Sequence, residues 1–410
     1  MLIRSEFREL ETEQEKHPID VSVVIPCLNE AETLGQCIRK ARDSFDQSGL
    51  QGEVVVADNG SSDGSQDIAT QRGARVLHIA QRGYGNALRG GIAAARGEIV
   101  VMGDADDSYD FYETPRFVAK LKEGFDLVQG CRLPAGGGRI MPGAMPFLHR
   151  WIGNPLLSRL ARFMFGAPVH DVYCGMRAFR RDWVAGLDLR CDGMEYATEM
   201  IVKSRLFRAA IAEIPITLHP DGRKSRRPHL RTFHDGWRTL RFFLIYSPRW
   251  VFLVPGIAFV TVGMLGYILA MPGLKISGAT LDAHTLLFAS AAIMIGYQAI
   301  LFALLARMFA VSAGLLPEDE TAGRIRRILT LEQMLVLSGV VFLGGIALLA
   351  GAVYQWWLAD FGPLNYAHTM RWVIPGVLCT VLGFQNMLAG FFAGVMRMGH
   401  LRPPNGKSGE

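Results

Sequence analysis

The chain has 410 residues, half of them hydrophobic and 20% charged. It is too long for one ordinary globular core, too apolar to be wholly soluble, and too rich in core-forming residues to be disordered or fibrous. Its 43 Lys+Arg exceed its 38 Asp+Glu by only +5, too little to argue for a nucleic-acid partner, and six scattered cysteines favour neither a zinc site nor a disulfide framework.

Residues 1–20 are polar, lack the apolar run of a secretory signal, and read as an N-terminal extension that stays in the cytoplasm. Residues 21–25 are β-branched and end at Pro26, which predicts a strand; residues 53–57, ended by Asp58-Asn59-Gly60, predict a second. Between them residues 30–45 are expected to wind as a helix capped by Asn29. The alternation continues with strands at 75–78, 99–102 and 126–129 and helices at 85–95 and 113–122. Such a pattern predicts an α/β, Rossmann-like domain whose mainly parallel sheet is covered on both faces, with ligands at the carboxyl ends of its strands. The Pro/Gly-rich stretch 133–146 reads as a loop, either mobile over the site or a plain connector.

Two later segments mix aromatics with arginine at helical spacing. In 145–165, Phe147, Trp151 and Phe163 alternate with Arg150, Arg159 and Arg162; in 223–241, Leu230, Phe233 and Trp237 alternate with Arg223, Arg226 and Arg238. Both read as amphipathic helices on an anionic leaflet, with an ordinary packed surface helix as the alternative. Four uncharged stretches follow, at 250–271, 285–306, 334–354 and 373–396. At about 1.5 Å per residue each can cross a hydrocarbon core of roughly 30 Å. Basic residues set the orientation: Arg307, Arg324, Arg326 and Arg327 between the second and third stretches, and Arg397, Arg402 and Lys407 after the fourth, place those faces and both termini in the cytoplasm. The expected organisation is an extension (1–20), an α/β domain (21–222), a basic juxtamembrane helix (223–249), a transmembrane domain of four α-helices (250–396) and a cytoplasmic tail (397–410).

The most informative string is Val100-Val-Met-Gly-Asp104-Ala-Asp106-Asp107. Two carboxylates one residue apart past a strand end can share a divalent cation, Mg²⁺ or Mn²⁺, that bridges the phosphates of a nucleotide-diphosphate ligand. Asp58 ends the second strand like an acid that accepts from a base or ribose hydroxyl; an Asx turn is the plainer reading. The glycines of Arg82-Gly-Tyr-Gly85 open a helix and permit close approach of an anionic ligand. A Gly-x-Gly-x-x-Gly fingerprint after the first strand is absent, which disfavours a dinucleotide-linked dehydrogenase.

In order along the chain, Val23-Val-Ile-Pro26-Cys-Leu-Asn29-Glu30, Asp58-Asn-Gly-Ser-Ser-Asp63, Gly83-Tyr-Gly-Asn-Ala-Leu and Gly103-Asp-Ala-Asp106 resemble glycosyltransferase family 2, whose catalytic domain has the GT-A fold. Gly130-Cys-Arg132, Asp171-Val-Tyr-Cys-Gly175-Met-Arg177, Glu195-Tyr-Ala-Thr-Glu199 and Ala212-Glu-Ile-Pro215 look like the polyprenyl-phosphate sugar transferases, the dolichyl-phosphate mannose and glucose synthase group. The likeness covers roughly residues 21–246.

The resemblance implies that Pro26, Asn29, Glu30, Asp58 and Gly85 hold the donor nucleotide. It implies that Asp104 and Asp106 complete the metal and diphosphate site, with Asp106 catalytic. Arg132 and Arg177 would meet phosphate groups, and Arg223 and Arg226 the acceptor phosphate. Glu199 would face the sugar or orient an arginine; a structural ion pair is the alternative. A lipid-phosphate acceptor is already largely anionic at neutral pH and needs no strong base. The expected function is therefore inverting transfer of a sugar from a nucleotide-sugar donor to a polyprenyl phosphate acceptor at the membrane lipids, without nucleic acid and with a homo-oligomer allowed. Alternatives are a processive polysaccharide synthase, although its Gln-x-x-Arg-Trp signature is not matched at Tyr246-Ser-Pro-Arg249-Trp250, a hydroxyl-directed transferase, and a non-catalytic nucleotide-sugar scaffold.

Overall fold

The computed structural model describes residues 19–223, 232–276, 278–317 and 330–398. The expected extension up to residue 18, Arg226, the loop cations Arg324, Arg326 and Arg327, and the tail from residue 399 lie outside the described residues. The chain divides into two units, Met1–Phe243 and Leu244–Glu410.

In chain order the first unit contains β1 (Val21–Cys27), α1 (Leu34–Ser48), β2 (Gly52–Asp58), α2 (Ser65–Gln71), β3 (Arg75–His78), α3 (Tyr84–Ala94), β4 (Ile99–Met102), α4 (Thr114–Lys122) and β5 (Leu127–Cys131). There follow β6 (Arg139–Ile140), α5 (Asn154–Phe165), β7 (Arg177–Arg180), α6 (Arg181–Gly186), α7 (Glu195–Leu206), β8 (Ile211–Pro215), β9 (Thr217–Leu218) and α8 (Thr232–Ile245), the last running into the second unit. Seven strands form one sheet in the order β3-β2-β1-β4-β7-β5-β8. All neighbours are parallel except β7, which runs antiparallel between β4 and β5. Val23, Ile25, Val54, Val56, Val101 and Val128 pack against Leu34, Ile38, Phe45, Phe117 and Leu121, and burial of each such side chain contributes about 1.5–3 kcal/mol.

Three expectations change. Helix α1 begins at Leu34 and Asn29 does not cap it: Asn29 adopts φ 60°, and its Oδ1 accepts from Ser62 N at 2.8 Å. The backbone N–H groups ahead of α1 are satisfied from the next loop instead, Glu30 N by Ser65 Oγ (2.9 Å) and Ala31 N by Asp63 Oδ2 (3.0 Å). The stretch 133–146 is pinned in part, because β6 within it pairs with β9. Finally, α8 buries Phe242 and Phe243, with Phe243 packed 5.5 Å from Phe165, while Trp237 stays exposed. The segment through α5 keeps the expected amphipathic surface: Phe147, Trp151, Leu156 and Phe163 are 58–74% exposed, and Arg150 lies over the Trp151 ring.

Among the described residues the second unit has four helices long and apolar enough to cross a membrane, at Arg249–Ala270, Ala283–Ser312, Leu331–Leu358 and Tyr366–Met396. Close approach is made by Gly256 and Gly296 between the first two and by Gly345 and Gly376 between the last two. Asn386 ties three of them, accepting from Tyr297 Oη at 2.9 Å and donating to Ser338 Oγ at 2.7 Å.

Candidate active site

Past the carboxyl end of β4 the chain turns through Gly103 into the acids. Asp104 Oδ1 accepts from Tyr84 Oη at 2.8 Å. Burial, with the Asp106 charge adding to it, pushes the Asp104 carboxyl up to about 6; the Tyr84 bond and the nearby Arg132 and Arg177 charges oppose this. Asp106 Oδ1 accepts from Ser108 N (3.1 Å) and Oγ (2.6 Å), and its Oδ2 faces Arg223 Nη2 at 3.5 Å. The next acid, Asp107, turns away at φ 59° and pairs with Lys40 at 2.8 Å.

The pair suits a divalent ion. Both side chains offer hard carboxylate oxygens. A Cβ at position 175 would come within 2.7 Å of Asp104 Oδ2, so glycine there keeps that oxygen approachable. Among the described residues no three or more His, Cys, Asp or Glu side chains form a ready cage; one or two carboxylates are what Mg²⁺ uses when substrate phosphates supply the rest. Gly175→Ala is therefore expected to weaken Mn²⁺ binding about tenfold, the usual scale for a residue that shapes a metal ligand, and calorimetric titration checks it.

Glu30 sits beside this pair, with Oε1 accepting from Arg223 Nη1 at 2.8 Å while its buried Oε2 has no partner among the described residues. Burial pushes its carboxyl up to about 7 against the opposing Arg223 charge. Pro26 lies inside β1, opposite Ala57. Asp58 is fully buried and its oxygens are occupied by its own turn, accepting from Gly60 N, Ser61 N and Gln66 Nε2 at 2.8–3.3 Å. Gly85 donates its N–H to Asp192 O at 2.8 Å, and a Cβ there would strike Cys191 O. The close approach that this glycine allows is thus used by the chain's own backbone.

Arg132, just past β5, and Arg177, at the start of β7, are enclosed. Arg132 makes a two-pronged pair with Asp171, through Nε (2.7 Å) and Nη2 (2.9 Å), and donates from Nη1 to Tyr109 Oη at 3.3 Å. Arg177 is wholly buried and donates to Ala197 O and Cys174 O, and burial holds it below the usual arginine range. Neither presents a free fork to a phosphate; their charge reaches Asp104 through space. Glu199 is also fully buried. It pairs with Lys203 at 3.0 Å and accepts from Arg190 N and Cys191 N, and these bonds hold its carboxyl below the usual range despite burial. Of the expected residues, Glu30, Asp104, Asp106 and Arg223 come together, whereas Glu199 and Gly85 brace the 190–192 segment. Sequence reading passed over Tyr84, Asp221 and Lys203. The Glu199–Lys203 spacing of four on a helix was the available signal for the last.

Comparison with known proteins defines the class. Residues 22–187 match Glycosyl transferase family 2, and residues 304–397 match Glycosyltransferase family 2 C-terminal transmembrane region. The Low-salt glycan biosynthesis hexosyltransferase Agl6 of Haloferax volcanii is 34% identical over 375 residues, which cover 91% of this chain and 88% of that protein. The chain belongs to glycosyltransferase family 2; it is a membrane glycosyltransferase with a GT-A-type, mostly parallel catalytic sheet. The Dolichyl-phosphate hexose transferase of the same organism is 34% identical over 197 residues, 48% of this chain and 82% of that protein. Glucosyl-3-phosphoglycerate synthase from Mycobacterium tuberculosis, crystallised with Mn²⁺, UDP and glucosyl-3-phosphoglycerate, aligns over 58% of this chain and 81% of that chain, with 25% identity and a TM-score of 0.43.

Proposed function

We propose that the protein is a metal-dependent, inverting hexosyltransferase that moves a sugar from a UDP- or GDP-linked donor to a polyprenyl phosphate of the undecaprenyl type. Its main support is the carboxylate pair Asp104 and Asp106 at the end of β4, with a cation, Arg223, 3.5 Å from the second of them. The likeness to a dolichyl-phosphate hexose transferase supports a lipid-phosphate acceptor. Bound at the pair, Mg²⁺ or Mn²⁺ would neutralise the charge of the departing diphosphate. The chain's own residues do the rest. Tyr84 aims Asp104, Ser108 aims Asp106, and Pro26, Asn29 and Glu30 frame the donor side, with Asp58 holding the loop after β2 and Gly85 the 190–192 segment that border it. Arg223, with Arg226 beyond the described residues, meets acceptor anion. An anionic acceptor needs no strong base, which agrees with Glu199 being occupied by Lys203.

The division into extension, catalytic domain, juxtamembrane helix, four spans and tail belongs to the same proposal, as does a plasma-membrane location with the catalytic domain and both termini cytoplasmic. The exposed aromatic face at Phe147, Trp151 and Phe163, flanked by Arg150, Arg159 and Arg162, supports a catalytic unit that touches anionic lipid directly.

The test is an assay of the purified full chain with radiolabelled UDP- and GDP-sugars, undecaprenyl phosphate and Mn²⁺. A lipid-linked sugar with inverted anomeric configuration is expected from one donor; product on a hydroxyl acceptor, or none from any donor, contradicts the proposal. Proton competition gives a second check. The Asp104 carboxyl must be ionised to bind the ion, so Mn²⁺ affinity should be level above pH 7 and fall toward tenfold per unit as pH drops through about 6. Titrations from pH 5 to 8 measure this.

A further inference from the structure

Both oxygens of Asp106 have protein partners. Oδ1 accepts from Ser108 N and Oγ, and Oδ2 faces Arg223 Nη2 at 3.5 Å. Arg223 is not a loose surface cation: its side chain is 9% exposed, Nη1 donates to Glu30 Oε1 at 2.8 Å, and Nε and Nη2 donate to Asp221 at 2.6–3.0 Å. The chain just before it is laced to the acid loop as well, since Gly222 N donates to Asp106 O and His219 N to Ser108 O, both at 2.9 Å.

A divalent ion on Asp106 either crowds onto Oδ1 beside the two Ser108 bonds or takes Oδ2 and displaces the guanidinium that faces it. Displacement is the easier course, because the Arg223 contact is the longer one and the two cations repel. We propose that Arg223 and the divalent ion compete for Oδ2 of Asp106, so that loading the ion turns one arm of the guanidinium toward an incoming phosphate anion. This rests on the metal reading above. The Nε and Nη2 bonds to Asp221 keep the side chain within the site as it swings off Asp106. A planar fork of donors suits a phosphate, whether the diphosphate of a nucleotide or the monoester of a lipid. Linkage is reciprocal: a phosphate that draws Arg223 away tightens the ion, and the ion tightens the phosphate.

Mn²⁺ binding to the detergent-solubilised full chain, followed by electron paramagnetic resonance, tests this in wild type, Arg223→Met and Arg223→Lys, each alone, with UDP, and with farnesyl phosphate. Arg223→Met is expected to bind Mn²⁺ about tenfold tighter than wild type without phosphate, within the usual range of coupling between sites, while Arg223→Lys stays near wild type. In wild type, phosphate should tighten Mn²⁺ severalfold; the methionine variant should lose the gain from farnesyl phosphate and keep only the part of the UDP gain that direct ligation by the diphosphate supplies. Tightening by farnesyl phosphate assigns the anion to the lipid side; tightening by UDP alone assigns it to the donor. Mn²⁺ binding no tighter in Arg223→Met, or phosphate coupling undiminished there, overturns the competition. Should the methionine variant not fold, wild-type Mn²⁺ affinity that neither phosphate changes overturns it equally. Binding that Asp106→Asn leaves untouched overturns the metal reading itself, and the competition with it.

Discussion

Asp106→Asn is expected to cut kcat by about 10³-fold while leaving the melting temperature nearly unchanged. A metal at a departing diphosphate supplies several kcal/mol of charge stabilisation, and each 1.36 kcal/mol is tenfold in rate. The amide keeps an acceptor for Ser108 N and Oγ, which bond to Oδ1 in the native loop, so the turn survives. What is lost is the charge proposed to hold the ion. Steady-state assay beside a thermal melt separates the outcomes: full activity removes Asp106 from the chemistry, and a large fall in melting temperature makes it a structural acid.

The largest effect on stability is expected at Asp171, whose Asp171→Ala variant should lose about 3–5 kcal/mol. Asp171 is fully buried and grips the nearly buried Arg132 with both oxygens, at 2.7 and 2.9 Å. Removing it leaves a guanidinium enclosed without its counter-charge, which costs far more than losing a surface pair. For a domain of this size the melting temperature should fall by roughly 10 °C. Replacing both partners with apolar side chains should recover much of the loss. If Asp171→Ala instead melts like wild type and only donor affinity changes, Arg132 serves a ligand phosphate rather than the fold.

The contrast between these two sites shows what could be read from the sequence. Asp104 and Asp106 follow an apolar strand at a spacing that itself implies shared coordination, so chemistry and position are both local. The strands at Val21–Cys27 and Ile99–Met102 were equally legible, because buried parallel strands are continuous apolar runs. Arg132 was legible as a cation but not as a tethered one, since Asp171 lies 39 residues away. Asn29 looked like a helix cap until Ser62, 33 residues on, claimed its side chain. Strand β7 is four residues that begin and end with arginine, too short to show a period, and its antiparallel course depends on pairing with β4 and β5. At Glu199 the structural ion pair that stood as the alternative is present, and its lysine partner lies four residues away on the same helix.

The proposed function depends on a divalent ion at the end of β4. Anomalous scattering from crystals of the full chain grown with Mn²⁺ and UDP would locate it directly. The account predicts a peak about 2.1 Å from a carboxylate oxygen of Asp106 or Asp104 and in contact with the diphosphate; a manganese peak bound elsewhere, or UDP seated with no metal between its phosphates and these acids, would contradict it.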